Sequence, residues 1–147
     1  MYQFDAVVHA RDESMKDADL VNLGEDRYRA LRVPPRARAE PLAVSFEQAV
    51  ALLEQLPRMI VEPDGALLWA GEYTVDDSSV AWQIDGTLYD RNERLMHVEL
   101  AGRAPPEQFD RLLETLGWPE QRVMFQDKRL GVFLGEDEFR RFAMRAE

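Results

Sequence analysis

The chain has 147 residues, 46% of them apolar, with 18 Lys and Arg set against 28 Asp and Glu for a formal net charge of −10. That size and apolar content fit one globular domain with a core and exclude collagen-like, mucin-like and fully disordered chains. Cysteine is absent, which excludes a disulfide framework, a thiolate nucleophile and Cys-ligated metals or clusters.

Residues 2–9 read as a strand, with Tyr2, Phe4, Ala6 and Val8 on one face and Gln3, Asp5 and His9 on the other. No basic segment leads into an apolar run in this opening stretch, so no signal peptide is expected there. No apolar run approaches the length of a membrane span. The expected location is the cytoplasm. Residues 10–18 are polar and read as loop. Residues 19–23 and 27–33 suit a small hairpin around Gly24 and Glu25, and residues 34–41 (PPRARAEP) form a Pro-rich linker. Residues 1–44 are therefore expected as an added edge piece of the same domain or as an arm.

Residues 45–147 carry the stronger signals. Ser45 is a good N-cap, with Gln48 at the capping-box spacing. Phe46, Ala49, Val50, Leu53 and Leu56 make the apolar stripe of a first helix, which Pro57 ends. A strand over 58–62, a Pro63-Asp64-Gly65 turn and a returning strand over 66–75 follow, with Gly71 read as a bulge. Residues 76–79 read as loop. Residues 80–89 alternate most clearly: Val80, Trp82, Ile84 and Leu88 point one way, Ala81, Gln83, Asp85, Thr87 and Tyr89 the other. Residues 94–101 return with Met96, Val98 and Leu100 inward and His97 and Glu99 outward.

A second helix follows Pro105-Pro106, with Phe109, Leu112, Leu113 and Leu116 buried, Gly117 as the C′ residue, and Trp118 packing back before Pro119. A hairpin over 121–126 and 130–134 and a last helix over 136–145 complete the chain. The expected class is α+β, an antiparallel sheet with one face covered by two or three helices, in the order α-β-β-β-β-α-β-β-α from residue 45.

Candidate chemistry is sparse. The eight glycines form no phosphate-binding motif, so no nucleotide cofactor is expected. His9 and His97 are the only histidines and give no metal-ligand pattern. Ser14, Ser45, Ser78 and Ser79 lack the context of a nucleophile. Residues 45–104 hold 4 basic against 11 acidic side chains, a field that repels phosphate backbones and excludes nucleic acid as the expected partner. Asp85 and Glu99, joined by His97, would make an acid/base set if the two carboxylates were cross-strand neighbours. That would suit a small carboxylate-dependent hydrolase or isomerase. Tyr73 and Tyr89 are candidates for a partly open protein-binding surface.

The stretches WQIDGTLYDRNERLMHVEL (Trp82 to Leu100) and PPEQFDRLLETLGWPEQ (Pro105 to Gln121) resemble a group of bacterial proteins of planctomycete type without known function, over roughly residues 45–142. The order of elements is also similar to that of the small acidic chaperones of type III secretion effectors. That likeness implies a cytoplasmic dimer that binds an extended partner segment. The expected role is therefore a non-enzymatic binding or adaptor protein with a protein partner or a second copy of itself, and with no cofactor, membrane or nucleic acid.

Overall fold

The computed structural model describes residues 1–144, apart from the side chains of Arg38 and Ala39. It is an α+β fold in which nine antiparallel strands form one sheet in the order β2-β3-β9-β8-β1-β7-β6-β5-β4. The strands are β1 (Tyr2–Ala10), β2 (Asp17–Leu23), β3 (Asp26–Leu31), β4 (Ile60–Val61), β5 (Ala66–Val75), β6 (Ser78–Arg91), β7 (Arg94–Ala104), β8 (Val123–Asp127) and β9 (Phe133–Leu134). The helices are α1 (Phe46–Glu54), α2 (Pro106–Glu114) and α3 (Glu136–Met144). The expected end of α3 at Arg145 lies outside the described residues.

The opening strand is not an edge piece. β1 sits in the middle of the sheet, bonded to β7 on one side and β8 on the other. The hairpin expected around Gly24 is present as β2 and β3. The Pro-rich segment contains a short 3-10 turn over Pro35–Ala39.

The alternation of β6 sets the two faces of the sheet. Trp82, Ile84 and Leu88 are buried, while Ala81, Gln83 and Asp85 are exposed. All three helices contribute to the same buried cluster as Trp82 and Ile84, through Ala49 and Leu53, Phe109 and Leu112, and Phe139 and Phe142. At its centre the Phe109 ring meets Tyr2, Phe4, Phe125 and Phe139 at centroid distances of 5.4, 5.0, 6.0 and 5.9 Å. Arg140 fastens this cluster from α3. Its guanidinium donates to the Tyr2 hydroxyl at 3.0 Å, pairs with Asp110 at 2.7 Å and lies over the Trp118 ring. The capping box of α1 is complete, with Ser45 accepting from the Gln48 amide and the Gln48 side chain accepting from the Ser45 amide. Gly117, at φ 100°, closes α2 as expected, and the Trp118 amide bonds back to the Leu113 carbonyl.

Three local readings need correction. β5 and β6 pair in unbroken register from Ala66↔Thr87 to Val75↔Ser78, so Gly71 marks no bulge. It is a glycine because the Trp82 indole lies over it: a Cβ there would come within 2.6 Å of Trp82 Cζ2. The irregularity falls instead between Tyr89 and Asp90, where Asp90 pairs with Leu95 and Tyr89 with His97, leaving Met96 as the extra residue of β7. Leu95, fully buried, therefore takes the inward place expected for Met96. Residues 76–79 are not a loop. Asp76 and Asp77, at φ 48° and 64°, make a two-residue turn, and β6 starts at Ser78.

Gly71→Ala should cost about 1–3 kcal/mol by overpacking against Trp82, and Phe109→Ala about 3–5 kcal/mol by opening the ring cluster. Urea unfolding followed by tryptophan fluorescence checks both, and a near-neutral Gly71→Ala would contradict the Trp82 contact.

Candidate binding face

The face away from the helices has two parts. Over β8, β9 and β3 it is covered. Met15, Leu31, Met124 and Phe133 form a second buried cluster there, with Val33 and Ala37 packed against it. Over β7, β6, β5 and β4 it is open.

The boundary is a row of rings. Tyr89 stacks on His97 at 4.7 Å, His97 lies 5.5 Å from His9, and His9 lies 5.5 Å from Phe133. This row follows from register, because His97 is paired with Tyr89 on one side and His9 on the other. His9 is buried, and its Nε2 sits 3.3 Å from Gln126 Oε1. His97 is half-buried, and burial holds its pKa below the ordinary value, with the Glu99 charge opposing. Glu99 in turn accepts a hydrogen bond from the Tyr89 hydroxyl at 3.1 Å and pushes that phenol up.

The candidate catalytic residues do not assemble as expected. Asp85 pairs with Ala101 and Leu68, and Glu99 pairs with Thr87 and Val7, so the two carboxylates are not cross-strand neighbours. Glu99 is held by Tyr89 and by Lys128 at 3.4 Å, and Asp85 accepts from Gln83 at 3.0 Å. Both line a shallow hollow of about 180 Å³ together with Asp5 and Lys128, but His97 does not line it. His97 lies in the adjoining row with Tyr89 across one face. Among the described residues, no three His, Asp or Glu side chains come together as a metal site. Tyr73 and Tyr89 do not share a surface either. Tyr73 pairs with Val80 on the helix side and packs against the main core, whereas Tyr89 is exposed on the open face.

The larger concavity is one that the sequence reading did not single out. It encloses about 590 Å³ over β4 to β7, with Ile60, Leu68, Ala70 and Ala81 on its floor and Arg58, Glu72, Gln83 and Arg103 among its polar lining. Ile60 and Leu68 are cross-strand partners, 55% and 38% exposed, so an apolar pair faces solvent at one end.

Beside it lies an open sheet edge. β4 pairs with β5 only at Leu67 and Leu68, and among the described residues no strand follows along residues 69–75. The Glu62 amide bonds the Ala66 carbonyl on this outer side. Antiparallel alternation then turns the backbone groups of Ala70, Glu72 and Thr74 outward as well, away from β6. The β4 signal over 58–62 was visible in sequence. Its late start at Ile60 was not, because it is set by the turn at Arg58, which holds φ 66°.

No known family model, curated protein or solved structure matches this chain. No helix among the described residues is long and apolar enough to cross a membrane.

The lowered His97 pKa fixes the sign of a pH effect. The unfolded chain takes up the His97 proton near the ordinary value of 6.5, and the folded chain only at lower pH. The contribution of His97 to stability is therefore whole above the ordinary value and is lost as pH falls through the lowered native one. Tm should drop between about pH 7 and about pH 5, and His97→Gln should flatten that drop. An equally steep profile in the variant would contradict the assignment.

Proposed function

We propose that this protein is a binding module that takes up an extended segment of another protein along the open edge of β5, with side chains of that segment seated in the adjoining concavity. The observation that carries this reading is the coincidence of the two features. Outward backbone groups at Ala70, Glu72 and Thr74 run directly beside a hollow floored by the exposed pair Ile60 and Leu68. Strand addition supplies main-chain hydrogen bonds for affinity, and the neighbouring hollow supplies the choice of side chain.

A different chain suits this edge better than a second copy does. Glu72, Asp76 and Asp77 stand along it, and pairing two such edges about a two-fold axis would bring like charges together. The hydrolase or isomerase reading has less support, since Asp85 and Glu99 are each held by a neighbour and His97 lies outside their hollow.

The test is NMR titration of the 15N-labelled protein with a blocked nonapeptide of alternating Val and Thr. Amide shifts confined to residues 68–75 and the concavity are expected. Thr74→Pro removes one outward N–H while sparing the ladder to β6, and should abolish those shifts with little change in Tm. Shifts elsewhere, or none, would overturn the proposal.

A further inference from the structure

We infer that Arg58 and Arg103 make the concavity selective for a carboxylate, so that the bound segment carries an acidic side chain pointing between them. This rests on the binding role proposed above and adds the chemistry of the partner.

The argument starts from charge. Residues 45–104 are strongly acidic and contain only Arg58, Arg91, Arg94 and Arg103 as basic residues. Two of those four line the same hollow. They reach it from different elements. Arg103 stands on β7 beside Gln83, whose other neighbour is Ala70 on β5, and Arg58 stands in the turn that leads into β4. Two long guanidinium side chains lining one hollow can converge on one carboxylate, and either can bind it in bidentate fashion.

The state of the neighbouring groups points the same way. The acidic residues of this region already accept hydrogen bonds, Glu72 from the Ser79 hydroxyl at 2.9 Å and Asp85 from the Gln83 amide at 3.0 Å. Among the described residues, neither the Arg58 nor the Arg103 guanidinium makes a hydrogen bond or ion pair. The two guanidiniums of the hollow are open while its Glu72 carboxylate accepts from Ser79, which fits an incoming acceptor.

Arg58 adds a second, independent observation. It holds the left-handed φ of 66°, where glycine carries no steric penalty and arginine does. The strained residue lines the concavity of about 590 Å³. Strain of this kind concentrates where a side chain is needed for function. A purely structural turn would be better made by glycine. The overall charge of −10 also restricts the ligand: an isolated carboxylate within an otherwise neutral segment is accommodated, whereas an extended polyanion is repelled.

The experiment compares three blocked nonapeptides of alternating Val and Thr that differ only in a central Glu, Gln or Lys, titrated against the wild-type protein, Arg58→Gly and Arg103→Gln. The Glu peptide should bind about tenfold more tightly than the Gln peptide, as a charge-assisted contact requires, and the Lys peptide more weakly still. Arg58→Gly should abolish the preference while leaving Tm unchanged or raised. Arg103→Gln should reduce the preference, so the inference does not hang on one variant. Equal affinities for Glu and Gln, a preference for Lys, or a preference that survives both substitutions would overturn the inference and leave docking along β5 standing. Absence of shifts with all three peptides would instead overturn the binding role itself.

Discussion

The architecture depends on the two-residue alternation of the β5–β6 hairpin, locked by the Trp82 indole lying over Gly71 and edge-on to Trp69 at 4.9 Å. Trp69 is itself tied down by its indole N–H to the Pro57 carbonyl at 2.8 Å. With both tryptophans committed to the helix side, every second residue of β5 and β6 must face the other way. A register slip of one residue would expose both indoles and bury Gln83 and Asp85. Burial of two tryptophans and Ile84 outweighs any local preference of the outer residues, so the outer face is a consequence of the core rather than an element with its own stability.

That consequence shapes the candidate site. The outward positions of β5 and β6 include Ala70 and Ala81, whose small side chains leave a hollow between longer neighbours. The pair Ile60 and Leu68 faces solvent, whereas at the far end of the sheet Leu31, Met124 and Phe133 are covered by Met15 and the segment around Val33. One face of one sheet thus changes from a second core to an open surface. The row of rings Tyr89, His97 and His9 marks the border.

Much of the fold was readable because it is encoded locally. The capping box at Ser45 and Gln48, the Gly117 stop and the period-two pattern from Val80 to Leu88 are contacts between near neighbours in sequence, and the structure keeps each of them. What could not be read depends on distant pairing. Nothing in residues 2–10 announces that β1 lies between β7 and β8, because its alternating pattern would suit an edge or a centre equally. The bulge that swaps Met96 for Leu95 is set by a tight turn at Asn92 and Glu93, both at positive φ, which no glycine signals. Asp85 and Glu99 looked like a pair because both face outward on adjoining strands. They are offset by two residues across the β6–β7 ladder, and alternation alone does not supply that offset. Arg58 and Arg103 were invisible as a pair for the same reason, being 45 positions apart in sequence and brought to one hollow only by the sheet.

The absence of cysteine allows a clean test of the two faces. Single cysteines placed at Ala81, Gln83, Ile84 and Ala104 can be reacted with a maleimide under native conditions. Ala81 and Gln83 lie on the open face, while Ile84 and Ala104 are fully buried. Cysteines at the first pair should label at the rate of the unfolded chain, and those at the second pair should label only after denaturation. Rapid native labelling at Ile84→Cys with protection at Gln83→Cys would invert the sheet and remove the proposed binding face.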